Sequence, residues 1–275
     1  MWIDQALPSL GAWTQALQDE DIPVLTQTIE KLDELRENED DVDAHLLAPI
    51  IQKDPLMTLK VMQWASMRRP AKVVTEVESV TGALVMMGMG PFFRTMSGMT
   101  SVQARLKDHP EALRGLVRVL RRSFRASRFA LSFAVHRMDA HPELVHMAAL
   151  LHDFAESLLW IKAPALMHRI ALMQQADPQL RTAAAQHEVL NISAPELEQA
   201  LARRWRLPLG LIRITDDAHA DSPSARTVML ALRLARHSAL GWDNAAIPTD
   251  VHDAAELLNL APDAAMRLVQ DIDHI

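Results

Sequence analysis

"RGLVRVLRRSFRASRFALSFAVHR" occupies residues 114–137, and its periodicity decides the fold class. Arg114, Arg118, Arg121, Arg125 and Arg128 recur three or four residues apart, which places them on one stripe of an α-helix. Leu113, Val117, Leu120, Phe124 and Leu131 form an apolar stripe beside it. Gly115, Val119, Ser123, Ala126, Ala130 and Ala134 give a back of small residues that allows close packing. The pattern predicts a long central helix, buried on most sides, with its arginines on the one wet edge. A solvated face is the plain reading of that edge. A docking surface for an acidic partner or an anionic ligand is the other reading these residues allow.

Outward from this segment the chain keeps reading as helix. "DPLMTLKVMQWA" (54–65) sets Asp54 at a cap position and Pro55 at the first helical position. "HPEALRGLV" (109–117), "HPELVHMAALL" (141–151) and "DPQLRTAAAQHEVL" (177–190) each open on a proline and continue as amphipathic runs. "SAPELEQALARRW" (193–205) carries Ser193 followed by Glu196, a capping box. Asn-Gly and Asp-Gly turns are absent and the eight glycines are sparse, so strand signals are nearly missing. The expectation is one all-α unit of about a dozen helices, with two subdomains meeting near residues 105–112. "ENEDDVD" (37–43) reads as a solvated acidic loop. Residues 243–275 read as two short amphipathic helices that pack on the core or pair with another chain.

Composition narrows the function classes. The chain has 275 residues, 49% of them apolar and 23% charged, as in an ordinary globular protein. It has no cysteine, which excludes disulfides, thiolate metal sites and cysteine nucleophiles. A formal net charge of −7 argues against a dedicated nucleic-acid binder. "MWIDQALPSLGAW" lacks the basic start and apolar run of a signal peptide, and no uncharged apolar stretch of about 18 residues suggests a membrane span. A cytoplasmic location, with no membrane partner, is the expectation. "MGMGPFFRTMSGM" (87–99) lacks the Gly-Lys-Ser/Thr of a phosphate-binding loop and reads as a helix-terminating turn. His136, His141 and His146 gather near Asp139 without a fixed ligand spacing, which reads as a surface connection. Glu188 and Glu196 lie on separate helices and suggest no acid/base pair.

Five patterns then line up in order. "LLAPIIQKDPLMTLKVMQWAS" (46–66) resembles the opening of HDOD domains, signalling relatives of the HD phosphohydrolases, with Asp54-Pro55 present and Ala65-Ser66 where an Asn-Ser pair is usual. "VESVTGALVMMGMGPFFRTM" (77–96) is similar to the next element, with Met87-Gly88 in place of its Leu-Gly turn. "LRRSFRAS" (120–127) resembles the segment that carries the first histidine. "AALLHDFAESLL" (148–159) is similar to the Leu-Leu-His-Asp core, and "ALARRWRLP" (200–208) to the alanine-rich stretch ending in Trp and Leu-Pro. The resemblance covers residues 20–240, leaving 1–19 as an N-terminal helical extension and 241–275 as C-terminal helices packed on the domain. It implies an HD-like all-α bundle.

The resemblance also implies a metal site, and the ligand set can be checked position by position. Catalytic relatives converge a histidine, a His-Asp pair and a distal aspartate on one cation, which activates water on a phosphoester. The pair stands here as His152 and Asp153. The first-histidine position reads Arg122, and the distal aspartate corresponds to Arg236 in "MLALRLARHSALG" (229–241). The usual His-His pair reads Ala218-His219, and the histidine of the capping-box segment reads Ala194. Arginine stays protonated and offers a metal no lone pair. A metal and a cofactor are therefore not expected, nor are catalytic residues. Arg122 shares a helical face with Ala126, Phe129 and Phe133 and is expected to point inward, where a guanidinium needs a partner. Arg122, with Arg236, is expected to pair with Asp153 in place of the lost cation. A satisfied polar pair in a helical core is the plain reading of His152 and Asp153.

The implied function is a non-enzymatic regulatory module of bacterial signal transduction, with a degenerate HD site and a protein partner. Two alternatives stay open: a metal-dependent phosphohydrolase of nucleotides or cyclic dinucleotides, and a nucleotide-sensing pocket without catalysis, in which Arg122 faces a phosphate.

Overall fold

The computed structural model describes residues 2–69 and 76–274. In chain order its helices are α1 (Leu10–Leu17), α2 (Thr26–Arg36), α3 (Ala44–Ile51), α4 (Pro55–Arg68), α5 (Val80–Met87) and α6 (Met89–Thr95). They continue with α7 (Val102–Arg105), α8 (Pro110–His136), α9 (Pro142–Leu151), α10 (Phe154–Lys162), α11 (Pro164–Ala176) and α12 (Thr182–Leu190). The last are α13 (Ala194–Arg204), α14 (Leu209–Ile214), α15 (Pro223–His237), α16 (Ile247–Leu258) and α17 (Pro262–His274). The described residues hold no strand, so the fold is all-α as expected. Helices exceed the expected dozen because the chain includes short ones such as α6, α7 and α14.

The chain divides into two compact units, each assembled from two separate segments. The first comprises Met1–Leu120 and Asp153–Pro208. Its α3, α4 and α5 pack together, and α1 packs on α13. Two tryptophans fasten this unit by donating to backbone carbonyls: Trp13 Nε1 to Leu190 at 2.8 Å, and Trp205 Nε1 to Gln18 at 2.8 Å. Both indoles are fully buried, so each donor needs such an acceptor. Ser193 and Glu196 close the expected capping box of α13. The Ser193 amide and hydroxyl, both donating to the Glu196 carboxylate, hold its pKa below the ordinary value.

Asp54 explains the Asp-Pro pair. One carboxylate oxygen accepts from the Leu56 amide at 2.9 Å and the Met57 amide at 3.2 Å, capping α4. The other accepts from the Leu25 amide and the Thr28 hydroxyl, each at 2.8 Å, so the same side chain also fixes the start of α2. Burial pushes this carboxyl up from its ordinary value, against the pull of all four donors. Gly88, at φ +77°, ends α5 as expected, but most of the stretch 87–99 that reads as a turn is the short helix α6.

The second unit comprises Arg121–His152 and Leu209–Ile275. Here α15 packs against α9, α14 and α16, and α16 packs on α17. The two C-terminal helices thus pack within this unit. Phe129 and Phe133 stack with ring centroids 6.3 Å apart and are fully buried.

Three expectations need correction. The arginine stripe of α8 is not wet along its whole length: Arg125 and Arg128 are covered by α17, because Asp273 and the Ile272 carbonyl supply acceptors for them. His146 is not on a surface connection but is buried in α9, whereas His136 and His141 are exposed. The run from Asp177 does not open as a helix at Pro178. Asp177 folds back instead, its carboxylate accepting from the Gln179 amide at 2.9 Å and its carbonyl from the Leu180 amide at 3.0 Å, and α12 starts at Thr182. One further stretch, Pro142–Lys162, is long and apolar enough to cross a membrane, yet 89% of its apolar 18-residue window is buried inside the protein.

Candidate functional site

The His-Asp pair sits at a break between two helices. α9 is apolar on nearly all sides and ends at Leu151, His152 forms its C-cap, and Asp153 precedes α10. The Asp153 carbonyl accepts from the Ser157 amide at 3.1 Å and from the Ser157 hydroxyl at 3.3 Å, which starts α10. His152 is buried and Asp153 half-buried.

Within the second unit, His152 meets a carboxylate that spacing along the chain does not single out. Its Nε2 lies 2.9 Å from Asp217 Oδ1. An ionised carboxylate only accepts, so this imidazole nitrogen carries the proton and donates. Asp217 opens a short 3-10 turn, Asp217–His219, capped by Asp216, whose carboxylate accepts from the Ala218 amide at 3.2 Å. His219 is exposed, and its Nδ1 lies 3.0 Å from Asp216 Oδ2. Two acids therefore precede the position of the missing His-His pair, and each engages one of the histidines. The signal is present as "DDAHA" (216–220), but adjacent acids in a polar stretch read as loop until the fold brings one of them under His152.

The other expected positions lie as follows. Arg122 is half-buried on α8, on the face it shares with the buried Ala126, Phe129 and Phe133. Arg236 is exposed in the last turn of α15, where with His237, Leu240, Gly241, Asp243 and Asn244 it lines a shallow recess of ≈ 270 Å³. Among the described residues no group of three or more His, Asp or Glu side chains is placed to hold a metal ion.

A second polar cluster lies where α15 meets α16, also in the second unit. Asp250 is buried, and its Oδ2 is 2.6 Å from His237 Nδ1 while its Oδ1 is 3.1 Å from Arg233 Nε. Arg233 also pairs with Asp253. Beside this cluster a cleft of ≈ 390 Å³ is lined by Arg226, Arg233, Asp253 and Glu256 over an apolar floor of Met229, Leu230 and Leu257.

The all-α helices, with a His-Asp pair between α9 and α10, are of the HD-like class. The HDOD domain model matches residues 22–221, and the chain belongs to the HDOD family. None of the curated proteins compared with the chain matches it. Solved structures do resemble it. The response regulator MmoQ from Methylococcus capsulatus superposes with a TM-score of 0.68 at 19% identity, covering 92% of this chain and 99% of that one. A virulence factor from Campylobacter jejuni gives 0.64 at 17% identity, covering 95% and 93%. An HDOD domain protein of unknown function from Geobacter sulfurreducens gives 0.50 at 15%, covering 95% and 93%. At these identities the likeness concerns the fold.

Proposed function

We propose that this chain is a non-enzymatic regulatory module of bacterial signal transduction, working in the cytoplasm by binding a protein partner. The observation that carries the reading is the engagement of His152 with Asp217. With Nε2 donating to a carboxylate, the neutral ring keeps a lone pair at Nδ1 alone, so the nitrogen that faces Asp217 is closed to a metal. Arginine at positions 122 and 236, where hydrolytic relatives carry ligands, adds charge that opposes a cation. Family membership supports the signalling role, and fold alone would not decide it.

The test is elemental analysis of the purified protein together with a phosphoesterase assay in added manganese, using nucleotides and cyclic dinucleotides. The expected result is substoichiometric metal and no turnover. Bound metal with turnover would overturn the reading in favour of a phosphohydrolase. One observation favours a second reading, a nucleotide sensor without catalysis. The α15/α16 cleft is of ligand size, and Arg226 within it has no ion-pair partner among the described residues. A nucleotide that raises the melting temperature, with the shift lost in Arg226→Ala, would select that reading.

A further inference from the structure

The arginine stripe of α8 has two halves with different surroundings. The C-terminal half is occupied by α17. Arg125 holds both carboxylate oxygens of Asp273, Nε to Oδ1 and Nη2 to Oδ2, each at 2.7 Å. Arg128 donates from Nη2 to the Ile272 carbonyl. The helix that lies here is amphipathic: Ala265, Val269 and Ile272 are buried, and Asp271 and Asp273 bring negative charge to its last turn.

The N-terminal half repeats the same pattern with no ion pair to another helix among the described residues. Arg114, Arg118 and Arg121 are exposed and continue the stripe at the same spacing. Arg114 reaches only Glu111 on its own helix, and Arg118 and Arg121 have no ion-pair partner among the described residues. Leu113 and Val117, both half-buried, run alongside. We propose that this half of the stripe docks an acidic amphipathic helix of a partner protein, with carboxylates on the guanidinium groups and an apolar edge on Leu113 and Val117. The inference rests on the interaction-module reading and names the chemistry of the partner.

Charge and shape both favour that occupant over a polyanion. The three arginines span about 10 Å of helix, given a rise of about 1.5 Å per residue. Such a span meets one or two turns of a helical peptide, whereas nucleic acid would be opposed by the net charge of −7. Guanidinium forks match carboxylates in a fixed geometry, as Arg125 and Asp273 already demonstrate on this helix.

The test uses the full chain and a fluorescein-labelled peptide of its own residues 261–274 as the acidic amphipathic probe, read by anisotropy. Saturable binding is expected, weakening at least tenfold between about 0.05 and 0.5 M salt, as screening of exposed charge requires. Arg118→Glu with Arg121→Glu should weaken binding at least tenfold, and the two Arg→Lys replacements should retain most of it. Both positions are exposed, so the variants should stay folded, which circular dichroism checks. Three results would overturn the proposal: no saturable binding, binding indifferent to the Glu variants, or stronger binding to phosphatidylglycerol vesicles that the same variants abolish. Manganese-dependent turnover would remove the reading of the His152 site and leave this titration valid. A failed titration would remove this partner and leave that reading in place.

Discussion

Asp217 Oδ1 receives the Nε2 proton of His152 across 2.9 Å, joining the buried cap of α9 to a half-exposed turn 65 residues further along the chain. The contact sets a proton on Nε2, because the carboxylate has none to give. Nitrogen-detected NMR of the neutral protein should show the proton on Nε2 of His152. Asp217→Ala should shift that resonance and lower stability by about 1 kcal/mol, the usual net worth of one such hydrogen bond, in urea denaturation. An unchanged resonance in Asp217→Ala would dissolve the link between the two residues.

Gly115 sits against Trp160. A Cβ at position 115 would lie 2.5–2.6 Å from Cζ2, Cε2 and Cη2 of the indole, inside any real contact distance. Two effects oppose each other in Gly115→Ala. Alanine improves helix propensity by about 1 kcal/mol, while overpacking a closed contact costs about 1–3 kcal/mol. Trp160 is buried and the Cβ would meet three of its ring atoms at once, so the second effect wins. The melting temperature should fall, and a smaller residue at 160, as in Trp160→Leu, should convert Gly115→Ala into a neutral or favourable change.

Asp54 ties α2 to α4 through four donors, and truncating it strands all of them in a buried place. Asp54→Ala should cost about 2–5 kcal/mol, summing a lost cap and unsatisfied backbone amides. Asp54→Asn should lie between the two, since its carbonyl oxygen can still cap α4 while its amide group meets the Leu25 and Thr28 donors head-on. Equal stability of the Ala and Asn variants would remove this account of the Asp-Pro pair.

How far the sequence is legible follows from the range of each interaction. Asp54-Pro55, the Ser193–Glu196 box and the turn at Gly88 act within a few residues, so spacing alone identifies them. The small-residue back of α8 is also visible, though not that Trp160 fills it at Gly115. Partnership over long separations leaves no such mark. Arg125 reads as a solvated arginine until Asp273 arrives 148 residues later, and Asp217 reads as loop until His152 lies over it. His146 goes astray for a related reason: three histidines close in sequence suggest one surface, but α9 turns only the third inward.

That buried imidazole sets the final prediction. His146 packs within α9 and burial lowers its pKa from 6.5 to about 4, because the charged ring would lose its hydration. The unfolded chain binds a proton as pH falls through about 6.5, while the folded chain does so only near 4. Stability from this group is therefore fully present above pH 6.5 and is lost progressively as pH falls towards 4. A tenfold change in proton affinity corresponds to about 1.4 kcal/mol, so the full window is worth about 3 kcal/mol. Urea denaturation from neutral pH down to about 4 should show that slope, and His146→Leu should flatten it by most of this amount. An identical slope in the variant would place the acid sensitivity in other groups, and the neutral state of His146 would then contribute nothing to it.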